Sequence, residues 1–123
     1  MKFCYIQTPN NYAPDKHLID GLQENGHIVF EISEKSLGIK KYILLGRKFL
    51  KNKNSCDAMI IGYTLPHFVP LIRFLTLKKT IFNAVASQYE ANVISRNNQK
   101  PWSLMAIKWW LIDFVSFHLS SRI

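Results

Sequence analysis

A chain of 123 residues with 48% hydrophobic and 20% charged side chains has the size and balance of one globular domain, which excludes wholesale disorder and an integral membrane protein. Its formal net charge of +8 points to acidic partners, of which an anionic membrane surface and a nucleic acid are the two kinds to weigh.

Met1 to Gln7 holds too short an apolar run for a signal-peptide core, so the first strand is expected at once, over Lys2 to Gln7. Thr8 to Pro14, with two prolines and two asparagines, is a loop. Leu18, Ile19 and Leu22 recur at helical spacing and Asn25-Gly26 stops them, which predicts a helix from Asp15 to Asn25. His27 to Ile32 is the second strand, Ser33 to Gly38 a loop, and Ile39 to Lys51 a strongly periodic second helix. Cys56 to Ile61 is the third strand, His67 to Thr76 a short helix with Pro70 in its first turn, and Thr80 to Val85 the fourth strand. After a polar stretch, Ser103 to Leu119 forms the last helix. Lys108 and Asp113 would each cost about 2.5 to 3.5 kcal/mol at a bilayer centre, so this helix is expected to be buried or interfacial, and Asp113 to pair with a basic residue.

Strands alternating with helices of this length predict an α/β domain of Rossmann-like, doubly wound type, with about four parallel strands flanked by helices and all 123 residues in one domain. In the strand order 3-2-1-4 the second strand would separate Cys4 from Cys56, so both are expected as buried free thiols in a reducing compartment. No Cys or His pair has metal-ligand spacing, and no metal is expected.

In an open parallel sheet, ligands bind beyond the carboxyl ends of the strands. The segments that reach that edge carry Asn10, Tyr12, Gly62, Tyr63, His67, Ser87, Tyr89 and Glu90 as polar or conformationally permissive residues. His67 precedes a helix, where it could act as a general base or hydrogen-bond a substrate; a surface loop histidine is the other reading. Arg96 could bind a phosphate or sugar hydroxyls, or be solvated. The loop TPNNYAP lacks G-x-G-x-x-G, and the chain has neither G-x-x-x-x-G-K-[ST] nor G-x-S-x-G. These absences argue against dinucleotide binding, phosphate-cradling NTPases and α/β hydrolases. No paired carboxylates mark an acid and base, and the catalytic residues stay unknown.

Seven of the sixteen basic residues fall between Lys35 and Lys53, and the second helix segregates them. Lys40, Lys41, Arg47, Lys48 and Lys51 share one face, with Leu44 exposed among them. Such a face suits an anionic membrane surface, at about 1 kcal/mol for each basic residue near it; a solvated helix face is the alternative. No recognised nucleic-acid motif accompanies the charge and no aromatic residue interrupts it, which argues against nucleic acid as the partner.

Four stretches in order, DKHLIDGLQENGHIVFE, CDAMIIGY, TIFNAVASQYEANVISR and KWWLIDFVSFHLSSRI, resemble the N-terminal half of GT-B glycosyltransferases, in particular the family-4 group that uses nucleotide-sugar donors. The resemblance covers nearly the whole chain and implies an acceptor-side domain for sugar transfer to a glycan or lipid-linked acceptor. By position it assigns acceptor contacts to Asn10, Tyr12, Gly62, Tyr63, His67, Ser87, Tyr89, Glu90 and Arg96. Two departures qualify it. TPNNYAP lacks the glycine pair many members carry where the donor phosphate passes, and no two glutamates here have seven residues between them as in the family's donor-binding half. The resemblance therefore implies that the C-terminal glycosyltransferase domain is a missing partner, that no cofactor is bound by this domain alone, and that the domain is inactive without its partner. The rival reading is a complete, non-catalytic basic α/β module that uses its second helix to bind an anionic membrane surface, and either reading goes with a cytoplasmic location, at the inner face of the membrane where the basic helix docks. Ser120 to Ile123 resembles the start of a fifth strand, which would leave TIFNAV as an unpaired edge open to a partner.

Overall fold

The computed structural model describes residues 1–9, 13–96 and 100–120. Strands β1 (Lys2–Gln7), β2 (Ile28–Ser33), β3 (Ala58–Ile61) and β4 (Lys79–Phe82) alternate with helices α1 (Ala13–Glu24), α2 (Gly38–Asn52) and α3 (Phe68–Leu75). A π-helical segment, Glu90–Ser95, and a final helix α4 (Leu104–Leu119) follow. The four strands are all parallel, so the α/β, doubly wound architecture expected from the alternation is the one observed.

Local chemistry explains the boundaries. α1 ends in a Schellman motif, in which the His27 N–H reaches the Leu22 carbonyl (3.1 Å) and the Gly26 N–H reaches Gln23 (3.0 Å), with Gly26 at φ 80° where a side chain would be strained. β4 stops at Phe82 rather than Val85, because the Ala84 N–H turns back to the Phe82 carbonyl (3.0 Å) and leaves the ladder. Ser103 caps α4 by accepting from the Ala106 N–H (3.1 Å).

The strand order is β2-β1-β3-β4. The chain moves one way from β1 to β2 and the other way from β2 through β3 to β4. Right-handed crossovers therefore place α1 on one face and α2 and α3 on the other. Phe3, Tyr5, Ala58 and Ile60 pack with Ile19 of α1, whereas Cys4, Ile6, Met59, Ile61 and Phe82 pack with α2 and α3. α4 joins the second layer through Phe117 and Leu119.

This order corrects the expectation of 3-2-1-4 and its consequence for the cysteines. β1 and β3 are direct neighbours, and Cys4 and Cys56, with Cα atoms 5.8 Å apart, are joined in a disulfide instead of remaining free thiols.

Candidate functional site at the carboxyl ends of the strands

β1 delivers the chain to β2 on one side and β3 delivers it to β4 on the other, so the strand order reverses between β1 and β3, the place where sheets of this kind carry their ligand crevice. The Gly62 N–H extends the ladder to the Ile6 carbonyl and the Asn83 N–H to the Ile61 carbonyl, both at 2.8 Å. Across the mouth, the hydroxyls of Thr8 and Thr64 are 2.9 Å apart.

A buried polar junction lies beneath. Asp15, in the first turn of α1 and 0% exposed, accepts at Oδ1 from the Tyr5 hydroxyl (2.6 Å) and from the Asn83 side-chain amide (2.7 Å). That amide also donates to the Tyr5 oxygen at 3.1 Å. Three residues from β1, α1 and the end of β4 are thereby tied under one loop. Burial, reinforced by the hydrogen bond and charge of Asp15, raises the Tyr5 phenol above its ordinary range and keeps it a donor. Among the described residues, Asp15 Oδ2 has no hydrogen-bond partner. It lies against Gly62, where a Cβ would stand 2.7 Å from it. Gly62 is thus required by the carboxylate below it, whatever occupies the crevice above.

The other wall is the segment after β4. Asp113 on α4, buried amid apolar neighbours, accepts from the backbone N–H groups of Gln88 (2.9 Å) and Tyr89 (2.7 Å). The expected basic partner is replaced by the two N–H groups that lead into the Glu90–Ser95 turn, where a carboxylate satisfies groups that the helical segment leaves open. The Ser87 hydroxyl accepts from the Glu90 N–H (2.9 Å). One turn further along α4, the Ser116 hydroxyl donates to the Pro66 carbonyl (2.8 Å) in the loop after β3. α4 therefore holds both walls in place.

The residues expected at the site divide. Gly62 and half-buried Tyr63 belong to the loop after β3, and Ser87 and Tyr89 to the opposite wall. The Tyr89 side chain helps line a cavity of about 370 Å³ with Pro101, Trp102, Ile107 and Trp110. Glu90 and Arg96 are exposed, and Asn10 and Tyr12 lie outside the described residues. His67 turns to the helix layer, its ring centroid 6.4 Å from Tyr42 and 6.3 Å from Trp109. Although His67 is exposed, partial desolvation of its ring by these neighbours, with the Lys108 charge, lowers its pKa and favours the neutral ring. Tyr5, Asp15, Asn83 and Asp113 were not singled out as site residues by sequence. The one signal for them was a carboxylate inside each apolar helix pattern.

On α2, Lys40, Arg47 and Lys51 are exposed and Lys41 is half-buried, but Lys48 is engaged with Glu34 (2.9 Å) and with the Ser33 carbonyl (2.7 Å). Leu44, expected exposed, is half-buried and lines a cavity with Arg47, Lys48, Leu50 and Lys51. Among the described residues, no group of His, Cys, Asp and Glu could hold a metal, and no helix is long and apolar enough to cross a membrane. No family model matches the chain, and neither a curated protein nor a solved structure matches it significantly.

Proposed function

We propose that this chain is the acceptor-side, N-terminal domain of a GT-B glycosyltransferase, working with a second domain that holds the nucleotide-sugar donor. In the reaction a hydroxyl of a glycan or lipid-linked acceptor displaces the nucleoside diphosphate from the anomeric carbon of the donor sugar. The observation that carries the reading is the reversal of strand order between β1 and β3 above the buried Tyr5–Asp15–Asn83 junction, with the hydroxyl-bearing Thr8, Thr64, Tyr63 and Ser87 in the segments that follow the strands. Neutral, hydrogen-bonding walls of this kind suit a polyol acceptor better than a phosphate, for which the loops supply neither a glycine-rich cradle nor a clustered charge. The four resembling stretches build this region: one supplies α1 and β2, one β3 and Gly62, one β4 and the Ser87–Ser95 wall, and one α4.

The reading locates the domain in the cytoplasm, and the Cys4–Cys56 disulfide, a bond that persists in oxidising compartments, is the observation that speaks against that location. It is tested by translating the DNA immediately after the Ile123 codon in all frames and supplying any second Rossmann-like half in trans with a panel of radiolabelled nucleotide sugars. Transfer that needs both halves is expected. Turnover by the pure 123-residue chain, or no transfer with any such half, contradicts the proposal.

A further inference from the structure

α4 is apolar on both sides: Phe117 and Leu119 pack on the core, yet large apolar residues also face outward. The residues it buries are Ala106, Asp113 and Ser116, small or polar, whereas Leu104 is 87% and Trp110 52% exposed, and Ile107, Leu111 and Phe114 are exposed beside them. The reason lies in the crevice: Asp113 and Ser116 must face inward to hold the two loops, which commits the opposite, apolar side of the helix outward. Trp102, just before the helix, is 91% exposed. The neighbouring helices continue the pattern, with Ile43 and Leu50 of α2 and Phe74 of α3 exposed. The three helices lie side by side, the rings of Tyr42, His67 and Trp109 linking α2 to α3 and α3 to α4.

The charge on this layer has one sign. α2, α3 and α4 carry Lys40, Lys41, Arg47, Lys48, Lys51, Arg73 and Lys108, and their single carboxylate, Asp113, is buried. An apolar surface of this extent, edged by cations, calls for an occupant that is both apolar and anionic. A second copy of the chain would bring like charges together. An anionic bilayer satisfies both demands: indole rings of Trp102 and Trp110 suit the headgroup level, and Lys stems lie along apolar surface with their charges at the phosphates.

We propose that the α2–α3–α4 layer, centred on the outer face of α4, docks on an anionic lipid bilayer. This relocates the contact from the basic face of α2, where Lys48 is occupied and Leu44 half-buried, to the helix that also braces the crevice. The proposal is independent of the sugar-transfer reading and involves no sugar in its test.

The test is co-sedimentation of the whole chain with vesicles of phosphatidylcholine alone and of mixed phosphatidylcholine and phosphatidylglycerol, with tryptophan emission read in parallel. Partitioning into the anionic vesicles is expected to be at least about tenfold stronger, to weaken with salt, and to shift the emission to the blue. Substituting two exposed residues, Ile107→Gln with Trp110→Gln, is expected to reduce it about tenfold or more with unchanged circular dichroism, whereas Leu18→Gln on α1 leaves it unchanged. Equal partitioning into both vesicle types, or none, overturns the proposal. So does wild-type partitioning by the double variant, which would return the contact to charge on α2, and so does a lipid-free dimer that the double variant abolishes.

Discussion

The two faces of one sheet are finished differently. α1 covers its face with Ile19 and Leu22 inward and turns Asp20 and Glu24 outward, so that among the described residues of this helix Leu18 alone is large, apolar and exposed. The other face buries a larger core under α2 and α3, including Leu45, Phe49, Phe68 and Ile72, yet its outer surface exposes Ile43, Phe74, Trp110 and Phe114 among cations. Under the second layer the edge strand is covered incompletely, with Ile28 and Phe30 of β2 exposed. Folding alone does not ask for the second layer's outer surface, and that excess is what the proposed docking rests on.

The largest expected effect falls on the helix-rich face, where the Cys4–Cys56 disulfide closes a loop of 52 residues in sequence separation and is worth about 4 kcal/mol in the chain-entropy relation. Urea unfolding with and without reductant measures it, and coincident midpoints would remove the disulfide from the account. Next comes the α1 face. Asp15→Ala strips the acceptor from the buried Tyr5 hydroxyl and Asn83 amide and is expected to cost about 3 kcal/mol. A loss below about 1 kcal/mol would mean that this face is held by its apolar core alone. Asp113→Ala, which frees two backbone N–H groups in a less enclosed place, is expected to cost about 2 kcal/mol and to broaden the amide resonances of Gln88 and Tyr89 while leaving those near Gly62 sharp.

The smallest effect is a titration. The Lys48 ammonium, with the backbone and hydroxyl of Ser36, holds the Glu34 carboxyl down at about 2. A carboxyl lower in the folded than in the unfolded chain contributes stability above its ordinary value of 4.5, and that contribution is lost as pH falls toward 2. In Glu34→Gln this part of the acid limb should disappear, and an unaltered limb would show that the β2–α2 connection does not depend on the pair.

Element positions were legible because hydrophobic period and stop signals are local: the Asn25-Gly26 stop and the periodic span ending at Lys51 fall within a residue or two of the observed ends. Strand order was not, since β1 meets the same kind of apolar neighbour on either side and only the three-dimensional pairing distinguishes β2-β1-β3-β4 from the order assumed. The error in the cysteines followed directly from that. The carboxyl edge of the sheet was legible as a place, and Gly62, Tyr63, Ser87 and Tyr89 lie in the segments that follow β3 and β4, but the buried junction beneath was hidden. Asp15 after Pro14 has the look of an ordinary helix start. Its partners, ten and sixty-eight residues away, are brought to it only by the fold. Asp113 misled in the same way, because a carboxylate on an apolar helix suggests a cation and the partners are backbone groups with no sequence signature. His67 was placed by its loop, but the rings of Tyr42 and Trp109 draw it to the helix layer.

The contrast between the faces is tested most directly by amide hydrogen exchange, read by mass spectrometry, on the whole chain with and without anionic vesicles. The account predicts slower exchange in peptides from α4 and the outer side of α2, with α1 and β2 unchanged. Slowing centred on α1, or none in α4, would contradict it.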